Sequence, residues 1–355
     1  MNDGFRMLVS FTVAFIGGVV FYYAQFPLPW MLGAVTGTLL WKFGAKQRPF
    51  VAAPIKNTAL IVIGCGFGLQ FNMSVIQGIA PYLPLYLLAT ILLIAASVAI
   101  GLVLARLTGL DRSPSVLGLI PGGLAEMIAL SESLRANPTT VVFIQTVRLL
   151  CVLAIVPAAV TYWFASPVPA SGSLAPSISL EGPEPQPWLY MAYVLPAAAG
   201  WLGRKMIPAS YVLMPLIITA ILHNAVMPLP SFQAWMNVWA QLAIGIGIGQ
   251  SVTLSGLQQM RQHAWRITAS VLSLLVVSFA LGWGLDLVTD MDTPTAVLSI
   301  APGGLIEMSL TAVSIHADYV TVTSLQFVRV LFIVTVIPIA LKVWLIALNR
   351  KRQHT

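Results

Sequence analysis

Charged side chains are scarce in this chain. They make up 8% of its 355 residues, 11 acidic against 18 basic. A soluble domain carries about 25%, so this chain cannot cover a water-facing surface. That excludes an ordinary cytosolic enzyme, a disordered protein and a free nucleic-acid binder. Cysteine is nearly absent: Cys65 and Cys151 both lie in apolar blocks, which gives no disulfide framework. The four histidines, His223, His263, His316 and His354, are scattered without metal-ligand spacing. No metal centre or cofactor is expected, and no nucleophile elbow or triad spacing appears, so the sequence does not read as an enzyme. The first apolar block, 7–23, lacks a small-residue cleavage site and is expected to remain as a span rather than leave as a signal peptide.

Apolar residues are abundant. Hydrophobic side chains reach 58% and mean hydropathy is +0.89, in blocks long enough for membrane helices and without the alternation of a β-barrel. The expected fold is an all-α polytopic membrane protein. Comparing the chain with itself at an offset of 181 residues exposes a duplication. Pro121-Gly122-Gly123-Leu124-Ala125-Glu126-Met127 falls on Pro302-Gly303-Gly304-Leu305-Ile306-Glu307-Met308. At the same offset Gly64, Gly66 and Gly68 fall on Gly245, Gly247 and Gly249, Gln145 on Gln326, Arg148 on Arg329, and Asp111 on Asp292. Apolar composition alone does not align rare polar residues in this way. The domains expected are a first membrane repeat at 1–164, a Pro/Ser-rich extracytoplasmic linker at 165–187, a second repeat at 188–349 and a basic tail at 350–355.

Each repeat has five long apolar blocks: 7–23, 30–45, 54–70, 82–105 and 139–164 in the first, 188–203, 211–226, 235–251, 264–288 and 320–348 in the second. A shorter block lies around each Pro-Gly-Gly, at 114–131 and 295–312. Lysine and arginine favour cytoplasmic loops. If the short blocks dip in and return, giving about ten spans in two inverted repeats, every Lys and Arg except Arg148 and Arg329 falls on the cytoplasmic side. If the short blocks cross, Arg135, Arg204, Lys205, Arg261 and Arg266 move outside. The first layout is expected, with both termini inside a bacterial-type inner membrane. A discontinuous crossing helix stays open as the alternative, provided another short block does not cross.

Arg148 and Arg329 lie about mid-depth in the last span of each repeat, where an arginine must face the protein interior. Glu126 and Glu307 are the partners expected. Gln145 and Gln326, three residues before each arginine, share its helix face. Pro121, Gly122 and Gly123, with Pro302, Gly303 and Gly304, break a helix at membrane depth. The half-helix that follows each break opens with a positive dipole end. Gly64 and Gly68, four apart, suit helix packing, with local unwinding as the other reading. Asn137 and Asp318, just ahead of each last span, suit N-caps.

The doubled Pro-Gly-Gly-Leu-x-Glu-Met motif, the Gly-x-Gly-x-Gly span and the late Gln-x-x-Arg together resemble the AbrB duplicated-domain membrane family, over nearly the whole chain. That family carries conflicting labels: ammonia monooxygenase, regulator and transporter-like protein. The first implies a metal centre that these residues do not support. The second implies an effect on gene expression, without direct DNA reading, since no hydrophilic domain is present. The resemblance implies an architecture similar to cation–proton antiporters and anion transporters with inverted repeats. A secondary transporter of a small solute, coupled to H⁺ or Na⁺, is expected, with Glu126, Glu307, Arg148, Arg329, Gln145 and Gln326 at the site. A ligand-sensing membrane regulator acting through a partner is the alternative. The partners expected are the bilayer and the solute, and glycine-rich helices suit a homodimer.

Overall fold

In a computed structural model the described residues are 3–26, 28–45, 47–69, 71, 77–122, 127, 131, 136–164, 187–205, 210–252, 261–333 and 336. Among them there is helix and no strand. The helices are α1 (Asp3–Tyr23), α2 (Pro29–Gly44), α3 (Ala53–Gly68), α4 (Leu83–Thr108), α5 (Arg112–Leu119), α6 (Pro138–Phe164), α7 (Val194–Leu202), α8 (Ser210–Ile221), α9 (Ala234–Ser251), α10 (Ala264–Val288), α11 (Thr293–Ile300), α12 (Leu305–Ser314) and α13 (Tyr319–Ile333). Four stretches are long and apolar enough to cross a membrane: Asp3–Tyr23, Gln77–Thr108, Pro138–Trp163 and Ala264–Val288. The sequence blocks behind α2, α3, α7 and α8 yield shorter helices. Sixteen residues, as in α2 and α3, rise about 24 Å, somewhat less than a hydrocarbon core of about 30 Å. Linker residues 165–186, the 350–355 tail and the end of the last span (beyond 336) lie outside the described residues, as do Gly123 and Glu126.

Contacts divide the chain into two compact units, each drawing on both halves of the sequence. The first comprises Met1–Ala80, Leu153–Thr253 and Ile306–Thr323. Here α1 and α2 cross at glycines: a Cβ on Gly17 would collide with the Gly33 carbonyl, and one on Gly37 would lie 2.8 Å from the Val13 carbonyl oxygen. Small residues let backbones meet where lipid supplies no hydrophobic drive. The glycines of α3 and α9 do the same across the repeats. A Cβ on Gly64 would lie 2.5 Å from the Val212 oxygen, and one on Gly68 2.5 Å from the Leu216 oxygen. Gly245 faces Met31 (2.8 Å to its oxygen) and Ala34, and Gly249 faces Thr38. Val212 is the repeat counterpart of Met31, and Thr219, which also faces Gly68, is the counterpart of Thr38. The contacts are therefore reciprocal, as in an isologous pair. The α3 glycines serve packing in an unbroken helix.

The same contacts fix helix directions. Residue numbers rise together along α3 and α8, and along α9 and α2. They run oppositely along α3 and α9: the Val51 N–H donates to Gln250 Oε1 (3.1 Å), while Lys56 lies against Gly247. It follows that α2 and its repeat counterpart α8 point in opposite directions, and so do α3 and α9. The C-terminal ends of the two glycine helices are closed differently. Lys42, 6% exposed, donates from Nζ to the carbonyls of Gly249 and Gln250 (3.0 Å each) and to that of Val252. At the counterpart end, Asn224 Nδ2 donates to the Phe71 carbonyl at 2.6 Å. A cation on the last carbonyls of a helix also matches its dipole.

The second unit comprises Pro81–Val152, Leu254–Leu305 and Ser324–Thr355. Its centre is α4 against its counterpart α10. Tyr86, Ala89 and Leu93 share one cluster with Leu274 and Leu285, and Leu104 another with Ile267 and Val271. These helices too are antiparallel, and Leu93 and Leu274 are direct repeat counterparts. Gly109, with φ 74°, ends α4 in the left-handed conformation that glycine adopts without strain. α5 packs back on α4 at Gly101, where a Cβ would meet Val116 Cα at 2.7 Å. α11 repeats this on α10 at Gly282 and Val297 (2.6 Å). The caps follow the sequence expectation: Asn137 Oδ1 accepts from the Thr139 N–H (3.0 Å), and Asp318 Oδ1 from those of Val320 and Thr321 (3.1 Å each).

Candidate functional site

Each repeat places a short helix, then a Pro-Gly-Gly break, then an arginine-bearing helix beside that break. α5 and α11 are eight residues long, about 12 Å each. Both end in extended backbone, at Ile120 (ψ 128°) and Ala301 (ψ 132°). Pro121 and Pro302, both buried, have no N–H to continue the helix. The chain then turns tightly in both copies: the Gly122 N–H donates to the Ile120 carbonyl at 2.8 Å, and that of Gly303 to the Ala301 carbonyl at 2.8 Å.

A helix C-terminus leaves its last four carbonyls unpaired and carries negative dipole charge. Here the arginine and glutamine supply the missing donors. Gln145 Nε2 donates to the Leu117 carbonyl (3.3 Å), and Gln326 Nε2 to that of Leu298 (2.7 Å), the counterpart residue. Arg148 donates to the carbonyls of Ile120 and of Gly122, the latter at 3.3 Å. Arg329 Nη1 donates to Ile300 (3.2 Å) and Ala301 (2.6 Å), and its Nη2 to Gly303 (2.8 Å) and to Gln326 Oε1. All four side chains are buried: Gln145 3%, Arg148 6%, Gln326 0% and Arg329 2% exposed.

The partner expected for Arg329 was a carboxylate. Its hydrogen-bond partners are instead backbone carbonyls and Gln326. The physical reason is local. Several negatively polarised carbonyls lie at the end of α11 and just past it, so one guanidinium fork can reach those of Ile300, Ala301 and Gly303 together. Glu307 lies in the first turn of α12 and is buried, 9% exposed; its carbonyl accepts from Thr311 Oγ1 at 2.7 Å. Glu126 and Gly123 lie outside the described residues. The two glutamines and two arginines are thus gathered on the two breaks with Pro121, Gly122, Pro302 and Gly303.

Directions matter again. Gly118 faces Ile144, Gln145 reaches Leu117 and Arg148 reaches Ile120 and Gly122, so α5 and α6 run the same way. α11 and α13 run together likewise. Gly122 and Asn137 therefore lie toward opposite ends of α5. One residue that the repeat comparison hid joins the second break, and another lies beside it on α4. Tyr86 is fully buried, and its hydroxyl donates to the Ser299 carbonyl at 3.1 Å. Thr90, also fully buried, lies one turn further along α4. Their counterparts are Ile267 and Val271, so matching by identity passes over them. The only sequence signal was a Tyr and a Thr four apart inside an apolar block.

The family described as Transition state regulatory protein AbrB matches residues 30–345. The chain is similar to AbrB of Escherichia coli (strain K12), a protein named for a suspected regulatory role. The two are 25% identical over 279 residues, covering 76% of this chain and 77% of that one. It is also similar to the uncharacterised protein YhjN of Bacillus subtilis (strain 168), 24% identical over 340 residues, covering 91% and 88%. With the family match extending over most of its length, the chain belongs to the AbrB family.

Proposed function

We propose that this protein is a secondary transporter, not an enzyme, which moves a small solute or ion by alternating access between two inverted repeats in a bacterial-type inner membrane. One observation carries the reading: two helix breaks, each clamped by its own Arg–Gln pair, in a unit whose repeat-related helices run antiparallel. Inverted repeats with interrupted helices are the recurring plan of secondary transporters. Non-helical backbone at membrane depth is tolerated where it lines a protein-covered or watery path. The placing of Gly122 and Asn137 toward opposite ends of α5 supports a re-entrant segment and, with the charge distribution, cytoplasmic termini. In this reading Glu126 and Glu307 carry the coupling H⁺ or Na⁺, and the arginines keep the two breaks open as polar backbone surfaces.

Flux into proteoliposomes tests it, with an internal pH dye and a panel of sodium salts and neutral solutes. Wild type is expected to move at least one of them, and Glu307→Gln to cut the initial rate more than tenfold while eluting as a monodisperse protein. Normal flux in that variant removes Glu307 from the path. Orientation is read separately by thiol labelling of cells. Ser173→Cys should react in intact cells and Arg135→Cys only after permeabilisation, and the reverse pattern would sink the inverted layout. The names of the family and of its Escherichia coli member favour a second reading, a membrane regulator that binds a ligand and signals through a partner. It predicts saturable binding with no flux.

A further inference from the structure

We infer that the loop between α2 and α3 is a docking site for an acidic phospholipid, whose phosphate is held by Arg48 with Arg6 beside it. The inference needs the membrane setting and not the transporter reading. The loop is fixed by the protein itself. Arg6 Nη2 on α1 donates to the Arg48 carbonyl at 3.2 Å, the Phe50 N–H to Ser10 Oγ on α1 at 2.9 Å, and the Val51 N–H to Gln250 Oε1 on α9 at 3.1 Å. The Arg6 guanidinium also lies over the Phe50 ring, 5.4 Å from its centroid. Arg48 is therefore carried on backbone tied to two helices, which lowers the cost of ordering it around a ligand.

Charge says what kind of ligand the loop takes. Arg6 touches the Arg48 carbonyl, and Lys42 lies within electrostatic reach of Arg48. Among the described residues the one carboxylate paired with any of these three cations is that of Asp3, 3.1 Å from Arg6. Lys42 gives its ammonium hydrogens to the carbonyls at the end of α9. Arg48 is exposed, and its guanidinium has no hydrogen-bond or ion-pair partner among the described residues. Like charges held together repel, and an anion among them relieves the repulsion. A guanidinium also meets a phosphate with two N–H groups at once. The flanks favour a lipid over a free phosphate. α1 and α2 cross with Gly17 against Gly33 and Gly37 against Val13, so Phe5 and Leu8 are level with Phe43 and Leu40. All four are between 41% and 69% exposed. A bound phospholipid would set its phosphate on the loop and its acyl chains along these apolar side chains. The second repeat lacks the site: the counterpart of Arg48 is Leu229, 1% exposed, and that of Arg6 is Pro187.

Thermal unfolding of the full-length protein in nanodiscs tests this, in phosphatidylcholine alone and in phosphatidylcholine mixed with phosphatidylglycerol. The acidic lipid is expected to raise the wild-type Tm by roughly 3 °C or more. Arg48→Gln should unfold within about 2 °C of wild type in the neutral lipid, because its side chain holds no protein group. It should lose most of the response to phosphatidylglycerol, and Arg48→Lys should keep part of it. Arg204→Gln removes another exposed base of the same unit and should respond like wild type. Glycerol phosphate added to neutral nanodiscs should leave Tm unchanged. The inference is overturned if phosphatidylglycerol gives no shift or if Arg48→Gln responds like wild type. It is equally overturned if Arg204→Gln loses as much, which would mean diffuse surface charge, or if glycerol phosphate reproduces the shift, which would mean a free-phosphate site. A strong loss of Tm for Arg48→Gln in neutral lipid would make Arg48 a structural tie and end the inference too.

Discussion

Arg329→Met is expected to be the most damaging single substitution in the described chain. Methionine fills much of the arginine volume and removes the buried charge, so the loss isolates the hydrogen bonds. The carbonyls of Ile300, Ala301 and Gly303 lose their side-chain donor, and Gln326 loses the partner of its oxygen. The Ala301 carbonyl keeps the Gly303 N–H, but those of Ile300 and Gly303 and the Gln326 oxygen lose the donor described here; each buried polar group left without a partner costs about 1–3 kcal/mol, so a net loss of about 3 kcal/mol or more is expected. The readout is the monodisperse fraction and Tm of the purified protein. A Tm within 2 °C of wild type would mean that the break holds its shape by backbone alone. Arg329→Lys should recover only part of the loss, since one ammonium cannot present the planar fork that reaches three carbonyls and a side-chain amide together.

The second large effect belongs to the glycines that join the repeats. Gly64→Val and Gly245→Val should destabilise the first unit by about 1–3 kcal/mol each, the usual range for overpacking. Their neighbours leave little room: a Cβ on Gly64 would meet three backbone atoms of Val212 between 2.5 and 3.1 Å, and one on Gly245 would meet Ala34 Cβ at 2.7 Å and the Met31 oxygen at 2.8 Å. Gly64→Val should be the worse of the two, because its closest contact is shorter, 2.5 against 2.7 Å. Gly284→Ala is the control. Nothing lies within 4 Å of a Cβ there, and alanine gains helix propensity over glycine by about 1 kcal/mol. A drop in Tm for Gly284→Ala, or none for Gly64→Val, would remove close backbone approach as the reason for these glycines.

The sequence by itself determined the helical membrane character, because a chain with so few charges and such long apolar blocks has no other way to satisfy its backbone. It also determined the duplication, since Glu, Gln, Arg and Pro do not align at one offset by chance, and it located both breaks, because proline removes the N–H that a helix needs. The partners of the arginines were decided only by the tertiary structure. A carboxylate is visible in sequence, whereas the row of free carbonyls that gathers around Arg329 is created by the end of α11 and belongs to no residue type. Tyr86 and Thr90 escaped for a related reason. The repeat signal weights what the two halves share, while these residues lie where the halves differ, and only packing α4 against α11 brings Tyr86 to Ser299. Reciprocal glycine contacts, likewise, needed two helices from opposite halves to touch before a spacing of four could be read as an interface.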